Sequence, residues 1–217
     1  MKYIIGAGAL GVFCAELLIA DTSEQVVFID DNKELWGKTI NGIQIVGGLE
    51  FLFSTENKNK EVLVAIANPI IREKIFNQVN EKKIEFFNLI HSTALILPSV
   101  EIGKGCMFMP HSIVCSNAKI GNGVIINMAS IVEQSCILAD FVGLAPGVNI
   151  GGRTEIGKRS LIATGATIFA RILIGEQNII AAGSVVTKST SHFSYLKGTP
   201  AKHISSTEVG FEWNVIF

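Results

Sequence analysis

The second half of the chain repeats an apolar residue every 18 positions. Three columns of these residues run through five repeats, and each column is displaced by six residues from the one before it. The columns are Ile102, Ile120, Leu138, Ile156 and Ile174; Phe108, Ile126, Leu144, Ile162 and Ile180; and Val114, Val132, Ile150, Ile168 and Val186. Three six-residue faces per repeat are typical of a parallel β-helix with triangular coils. Because one coil alone cannot bury its apolar side, we predict that the stack folds as a unit.

A glycine follows the first column in four of the five coils. These glycines are Gly103, Gly121, Gly157 and Gly175, and the exception is Ala139. We interpret them as tight corners at which the backbone adopts positive φ, a conformation that glycine tolerates. The coil from residue 122 to residue 139 is therefore the one that departs from the pattern.

The first half of the chain alternates short apolar runs with helical patterns, which is typical of parallel βαβ units. We predict strands at 3–5, 26–29, 62–67 and 84–90, with a helix at 9–20. Asn68 followed by Pro69 predicts the start of a second helix, which ends near residue 83. The sequence therefore predicts a truncated Rossmann-like α/β domain at 1–91 and a β-helix domain at 92–217.

A GxGxxG motif, formed by Gly6, Gly8 and Gly11, directly follows the first predicted strand and opens the first helix. In this position, small residues let backbone amides approach a phosphate beside the positive end of the helix. Asp30 or Asp31, at the end of the second strand, would accept hydrogen bonds from a ribose or a base. About 90 residues are too few for a complete dinucleotide enzyme, which favours a mononucleotide or nucleotide sugar over oxidoreductase chemistry. The alternative is a tight turn that binds nothing.

Composition narrows the possible partners. The formal net charge is −1 and no long block of like charges occurs, so we expect neither nucleic acid nor an anionic membrane as a partner. The four cysteines contain no CxxC pair and no zinc-like spacing, and we therefore predict buried thiols and no metal. The apolar stretch at 12–20 is a poor signal peptide and too short for a membrane span, which predicts a cytoplasmic protein.

Five segments together resemble the NeuD/PglD family of sugar acetyltransferases. They are IIGAGALG, FIDD, ANP at 67–69, INMASIVEQSCILADFVGLAPG and GTPAK at 198–202. The resemblance implies a left-handed β-helix, a homotrimer with active sites between adjacent chains, and acetyl-CoA as co-substrate. It further implies an acceptor that is either the amino group of a nucleotide-linked sugar or a hydroxyl of a sialic acid, within the biosynthesis of a surface glycan such as O-antigen.

The chain departs from the family at two histidine positions. It has Glu133-Gln134-Ser135 where the family has Glu-His-Asp/Glu, and Gly143 where the family has a histidine before Pro-Gly. A general base is worth about 10² to 10⁴ in rate, but a neutral amine attacks a thioester without prior loss of a proton. The departures therefore favour N-acylation over O-acylation. We predict that Gln134 orients the amine and that Glu133 or water takes the proton.

The resemblance implies further site residues. Asn127 would assist Gln134, and the backbone N–H of Gly152 would face the thioester oxygen. The remaining acetyl-CoA positions are Gly143, Ala170 and Lys202. The nucleotide-sugar positions are Gly8, Ala9, Leu10, Asp30, Asp31, Asn68 and Arg72. For Arg72, an exposed helical arginine is an equal alternative.

Three alternatives remain open from the sequence. The protein could be a sugar O-acetyltransferase, a catalytically inactive nucleotide-sugar-binding trimer, or an enzyme in which His111 replaces the missing base. His111 is the least favoured because its 18-residue register matches Ala129 and Gly147 rather than Gln134. For His91, His192 and His203 we predict structural roles. The aromatic residues of the tail, Phe211, Trp213 and Phe217, could pack on their own coil or on a neighbouring chain.

Overall fold

The computed structural model describes residues 1–22, 24–55 and 60–207. The aromatic residues of the predicted tail packing lie outside this range. The chain begins with an α/β domain and continues as a parallel β-helix, as predicted. No helix in the described ranges is long and apolar enough to cross a membrane.

The α/β domain is built on a six-stranded sheet with the order β3-β4-β2-β1-β5-β6. Its elements are β1 (Lys2–Ile5), α1 (Ala9–Thr22), β2 (Val26–Ile29), a 3₁₀ turn (Lys33–Leu35), β3 (Thr39–Ile40), β4 (Ile43–Gly47), α2 (Leu49–Ser54), β5 (Glu61–Val64), α3 (Pro69–Glu81) and β6 (Glu85–Phe86). All neighbouring strands are parallel except β3 and β4, which form a hairpin. The sequence-based prediction contains neither this hairpin nor α2, although Asn41-Gly42 is a strong hairpin-turn signal and both residues have positive φ.

The β-helix consists of three faces of short parallel strands. Face 1 contains Leu89–Ile90, Met107–Phe108, Ile125–Ile126, Gly143–Leu144, Leu161–Ile162, Ile179–Ile180, Ser194–Gly198 and Ala201–Ser206. Face 2 contains Leu95–Ile96, Ile113–Val114, Ile131–Val132, Asn149–Ile150, Thr167–Ile168 and Val185–Val186. Face 3 contains Glu101–Ile102, Lys119–Ile120, Ile137–Leu138, Glu155–Ile156 and Leu173–Ile174. The last two strands of face 1 form an antiparallel hairpin that ends the described chain.

The three predicted columns form the core of the β-helix. Phe108, Ile126 and Ile180 have no exposed surface, and the column residues of the five coils pack in one cluster, with Ile102 at its partly buried edge. Coils are joined by backbone hydrogen bonds one repeat apart, such as Gly151 N–H to the Ile168 carbonyl at 2.8 Å. The stack is therefore held by burial along its axis and by ladder bonds between successive coils.

The predicted reason for the corner glycines is wrong. Gly121 does not have positive φ; that conformation falls two residues later in each coil, at Gly123 and at Phe141 in the next. A Cβ at Gly121 would lie 2.6 Å from the backbone nitrogen of Asp140 in the next coil. Glycine is needed because successive coils approach too closely for any side chain, and the same holds at Gly103 and Gly157.

The predicted strand at 84–90 is two strands in two different sheets. Glu85–Phe86 extends the α/β sheet beside β5, whereas Leu89–Ile90 begins face 1 of the β-helix beside Met107–Phe108. Strand pairing thus changes sheets between residues 86 and 89. The predicted domain boundary at residue 91 stays a prediction, and it lies just after this change of sheet.

The two domains share a hydrophobic core across face 1. Met107 and Ile125 point outward from the β-helix, yet they are buried against Cys14 and Leu18 of α1. The thiol of Cys14 lies 3.7 Å from the sulfur of Met107. The α/β domain is therefore packed onto face 1 by apolar contact rather than tethered by a free linker.

Arg72 fastens α3 to the same side of the β-helix, and both sequence-based interpretations of this residue fail. Its side chain has no exposed surface, and its guanidinium donates to the carbonyls of Ile66, Ala67, Gly123 and Phe141 at 2.7–2.8 Å. Burial lowers the pKa of Arg72 to about 9, so the group stays charged at pH 7. Arg72 is neither an exposed helical arginine nor accessible to a phosphate, and we remove it from the nucleotide site.

Candidate active site and nucleotide site

Several predicted active-site residues lie at one edge of the β-helix, between faces 2 and 3. We call this edge the Gln134 corner. Gln134, Gly152 and Ala170 occupy the same place in three successive coils. Backbone hydrogen bonds connect these coils at the corner: Arg153 N–H to the Gln134 carbonyl at 2.9 Å, and Arg171 N–H to the Gly152 carbonyl at 3.0 Å. The column therefore aligns Gln134, Gly152 and Ala170 along the axis of the stack.

Glu133 lies beside Gln134 and makes an unexpected contact. Its Oε2 accepts a hydrogen bond from the Gly152 N–H at 2.7 Å, a short charge-assisted bond between adjacent coils. The N–H that was predicted to face a thioester oxygen is thus occupied by the protein's own carboxylate. Glu133 and Gln134 are exposed to solvent but Gly152 is buried next to them, so a ligand reaches this N–H only when those side chains move aside.

Gly152 is tightly matched to the side chains beneath it. A Cβ at this position would lie 2.9 Å from Nε2 of Gln134 and 3.3 Å from Oε2 of Glu133. The amide of Gln134 therefore packs directly against the glycine. Side-chain amide, carboxylate and backbone donor meet within one small surface, which could orient an amine beside a polarised carbonyl group.

Three other predicted residues lie elsewhere. Asn127 is at the edge between faces 1 and 2, which we call the Asn127 corner, and its Oδ1 accepts from the Met128 N–H at 2.8 Å. Gly143 is buried within face 1, where a Cβ would lie 3.1 Å from Leu161. Lys202 follows the turn of the terminal hairpin, and Gly198 of that turn bonds Ser184 at the Asn127 corner. Within one chain, face 2 lies between Gln134 and the corner that holds Asn127, and Gly143 lies on the opposite face.

Within one chain, the four histidines lie away from the Gln134 corner. His111 lies at the Asn127 corner with φ of 61°, and its N–H bonds Thr93. His91 lies at the domain junction, 2.9 Å from the Thr93 hydroxyl. His192 accepts from the Glu176 N–H at the far end of the stack, and His203 is exposed on the last strand. Substitution of His111 for the missing base is thus excluded within a single chain.

The cysteines offer no alternative nucleophile in the interior. Cys14, Cys106 and Cys136 are buried, and Cys115 is half-buried. Burial raises the pKa of the Cys14 and Cys106 thiols to about 12, so almost no thiolate forms there at neutral pH. Across the described residues, no group of three or more His, Cys, Asp or Glu side chains could hold a metal ion.

The glycine-rich turn has the geometry expected of an anion site. Gly6 has φ of +103°, and a Cβ at Gly11 would collide with the Gly6 carbonyl, so both must be glycine. Gly8 and Ala9 are exposed at the start of α1, with open space beside Gly8. Leu10 is half-buried in the first turn of the helix. Free backbone N–H groups therefore point outward at the positive end of α1.

The structure separates the roles of the two aspartates. Both oxygens of Asp30 are occupied, one by the Ala7 N–H and the other by the Asn32 N–H, each at 2.9 Å. Asp31 uses only Oδ1, which accepts from the Leu49 N–H at 2.9 Å. Asp30 is thus a brace for the glycine turn, and Asp31 has an oxygen that can bind a ligand.

Asp31 also lines the open space next to the turn. A cleft of about 170 Å³ includes Gly6, Asp30 and Asp31, and a second of about 260 Å³ includes Asp31 and Trp36. Trp36 is 40% exposed, and its indole N–H donates to the Asp30 carbonyl at 2.7 Å. Asn68 is less available than predicted, because its Oδ1 caps α3 by accepting from two backbone N–H groups. Trp36 was missed because an isolated tryptophan carries no motif.

An α/β domain with a glycine-rich turn, followed by a hexapeptide β-helix with a polar corner, defines an acyltransferase architecture. Residues 3–79 match the PglD N-terminal domain family. The chain is 30% identical over 168 residues to the GDP-perosamine N-acetyltransferase of Escherichia coli O157:H7, covering 75% of each protein.

Solved structures agree over nearly the whole chain. The acetyltransferase domain of PglB from Neisseria gonorrhoeae FA1090, in complex with acetyl coenzyme A, matches with a TM-score of 0.89 and 31% identity, covering 94% of this chain and 98% of that one. PerB from Caulobacter crescentus, in complex with CoA and GDP-perosamine, matches with a TM-score of 0.88 and 26% identity, covering 94% and 97%. The chain belongs to the NeuD/PglD family of sugar acetyltransferases.

Proposed function

We propose that this protein transfers the acetyl group of acetyl-CoA to the amino group of a nucleotide-linked amino sugar, in the synthesis of a surface glycan. The observation that carries the proposal is the Gln134 corner, where the neutral Gln134 amide packs against Gly152 beside the Gly152 N–H that bonds Glu133. The N-acetyltransferase activity named for its relatives, and the CoA and GDP-perosamine bound to PerB, support the same reaction class. Because acetyl-CoA is the donor, we place the reaction in the cytoplasm.

The absence of an imidazole from the Gln134 corner of the described chain favours an amine over a hydroxyl acceptor. An amino group with a pKa of about 8 is partly neutral near pH 7 and attacks without first losing a proton. A hydroxyl needs a general base for comparable reactivity. Gln134 can accept a hydrogen bond from the amine through its amide oxygen and so aim the nitrogen lone pair at the thioester.

We expect Gln134→Ala to lower kcat/KM for the amino sugar about tenfold, the usual value of one neutral hydrogen bond. The assay follows thiol release from acetyl-CoA with a panel of nucleotide-linked amino sugars at several pH values. The rate should rise with deprotonation of the amine. Gln44→Ala, an exposed glutamine of β4, is the control and should leave the rate unchanged. An unaltered rate in Gln134→Ala would remove the orienting role.

The same assay separates the alternative functions. Thiol release with a sialic acid or another hydroxyl sugar, and none with amino sugars, would establish an O-acetyltransferase. No release with any acceptor, together with retained nucleotide binding, would establish an inactive binder. The neutral Gln134 amide argues against the O-acetyltransferase. The second carboxylate oxygen of Asp31, beside the glycine turn, argues against a protein with a structural role alone.

For the nucleotide, we propose a site formed by Gly8, Ala9 and Leu10 at the start of α1 together with Asp31. The helix N-terminus would hold the diphosphate, and the free oxygen of Asp31 would accept from the ribose or the base. Asp30 and Asn68 support this site by holding the turn and the neighbouring helix.

Asp31→Asn should weaken nucleoside diphosphate binding about tenfold without lowering the melting temperature, since the amide still accepts from the Leu49 N–H. Asp30→Asn is the matched comparison and should lower the melting temperature, because an amide has one acceptor oxygen and must lose one of the two backbone contacts. Calorimetric titration with GDP, UDP and dTDP measures the first effect. Equal affinity in Asp31→Asn and the parent protein would place the nucleotide elsewhere.

We further propose a homotrimer, because one chain divides the site between two edges. The α/β domain covers face 1, which lies opposite the Gln134 corner of the triangular coil. Asn127 and the turn before Lys202 lie at the Asn127 corner, and a second chain could bring that corner against Gln134. Ala170, which continues the Gln134 column, would then line the donor, whereas Gly143 is buried in face 1 and would not reach it. A monomer mass in sedimentation equilibrium would contradict this arrangement.

A further inference from the structure

The contact between Glu133 and Gly152 joins two adjacent coils at the Gln134 corner. The Gly152 N–H takes no part in the ladder between coils, and its partner is the side chain of an exposed residue. The N···O distance of 2.7 Å is at the short end of the range for N–H···O hydrogen bonds. The corner thus already holds one negative oxygen at hydrogen-bonding distance from this backbone donor.

From this contact we propose that acetyl-CoA displaces the Glu133 carboxylate from Gly152 and that the released carboxylate then takes the proton of the attacking amine. The inference rests on the proposed N-acetyl transfer at the same site. Glu133 would serve first as a cap of the oxyanion donor and then as the base, which explains how the corner works without a histidine.

The bound carboxylate oxygen marks where charge develops in the reaction. An oxyanion donor must lie 2.7–3.1 Å from the position of the developing negative oxygen, and Glu133 Oε2 occupies such a position now. The thioester carbonyl oxygen that replaces it gains negative charge only in the transition state. The donor is therefore ordered for an anion before the substrate arrives, and the carboxylate moves aside by about the length of one hydrogen bond.

The step conserves atoms and charge. The neutral amine forms an N–C bond to the thioester carbon, and the carbonyl electron pair moves to the oxygen held by Gly152. The resulting ammonium gives one proton to Glu133. The oxyanion then collapses, the C–S bond breaks, and the thiolate takes the proton from Glu133. The products are an amide and free CoA thiol, and Glu133 is again ionised and can return to Gly152.

The cap distinguishes the donor from its product. Acetyl-CoA must compete with Glu133 for the Gly152 N–H because its carbonyl oxygen uses that donor. CoA has no thioester carbonyl and can bind while Glu133 remains in place. The wild-type protein should therefore discriminate weakly between the two, and removal of the cap should favour acetyl-CoA alone.

The test measures the dissociation constants of acetyl-CoA and CoA by calorimetry for wild type, Glu133→Ala and Glu133→Gln. Glu133→Ala should tighten acetyl-CoA relative to CoA by about tenfold, the lower range for a charged hydrogen bond. Glu133→Gln retains a weaker acceptor and should shift the ratio less. Both variants should lose about 10² in kcat, as expected for removal of a general base. Glu155→Ala, an exposed glutamate of face 3, is the control and should change neither quantity.

Each outcome has a separate meaning. An unchanged ratio of the two dissociation constants in Glu133→Ala overturns the cap, even if the protein is an active acetyltransferase. A shifted ratio with unchanged kcat on an amino sugar overturns the role as base. Failure of the proposed function would show instead as no thiol release with any acceptor in the wild-type protein. The binding ratio needs no acceptor, so it is measured independently of that result.

Discussion

Arg72→Ala is expected to lower the free energy of unfolding by about 3–5 kcal/mol, the range for losing the charged member of a buried polar network. The substitution leaves four carbonyls without their donor, two before α3 and two on β-helix corners. It also opens a cavity at a fully buried position. Urea unfolding followed by circular dichroism gives the magnitude.

Lys74→Ala is the matched control for Arg72. It removes a cation from the same helix, but Lys74 is exposed, so the change should stay within about 0.5 kcal/mol. A loss below about 1 kcal/mol in Arg72→Ala would mean that water reaches the carbonyls and replaces the guanidinium. In that case, the α/β domain would be held to the β-helix mainly by the apolar contacts of face 1.

Gly152→Pro should reduce kcat about 10² to 10³, the loss seen when one oxyanion donor is removed. Proline takes away the backbone N–H but suits the turn, because the following Arg153 has φ of 58°. The chain already has a proline before a residue with positive φ at two other corners: Pro110 precedes His111, and Pro146 precedes Gly147. The fold should therefore survive, with an unchanged melting temperature.

Gly152→Ala separates the donor from the space that the glycine provides. It keeps the N–H but adds a Cβ, which must push aside the flexible ends of Gln134 and Glu133. We expect a loss of about tenfold, so the remaining deficit of Gly152→Pro measures the N–H itself. Equal activity of the two variants would show that the N–H does not bind the reacting oxygen.

The β-helix could be predicted well from the sequence because the same apolar positions are buried in every 18-residue coil. An 18-residue column such as Ile120, Leu138 and Ile156 has one way to be buried, and the structure confirms it. The reason for the corner glycines was misread, because close approach between coils depends on residues 18 positions away. The hairpin at β3 and β4 was missed although Asn41-Gly42 could have revealed it.

The site was harder to predict, because neighbours in sequence are not neighbours in a coil. Asn127 and Gln134 are seven residues apart, yet they lie on different edges of the triangle. Glu133 and Gly152 are nineteen apart and form a hydrogen bond. Arg72 shows the same limit, since nothing in the sequence of α3 indicates the carbonyls of Gly123 and Phe141. Side-chain contacts between coils, or between the two domains, are determined by tertiary packing, which local sequence does not indicate.

The coil stack has a consequence for local opening and amide hydrogen exchange. Each coil forms backbone hydrogen bonds only with the coils next to it. Local unfolding should therefore begin at the ends of the stack and proceed inward. At the N-terminal end of the stack, the α/β domain covers Met107 and Ile125 of face 1. This contact should prevent the first coils from opening. The amides of Glu133 and Arg153 lie in interior coils, bonded to the Ile150 and Gln134 carbonyls. We therefore expect the amides of Glu133 and Arg153 to exchange slowly, while the side chains of the Gln134 corner are free to respond to substrate.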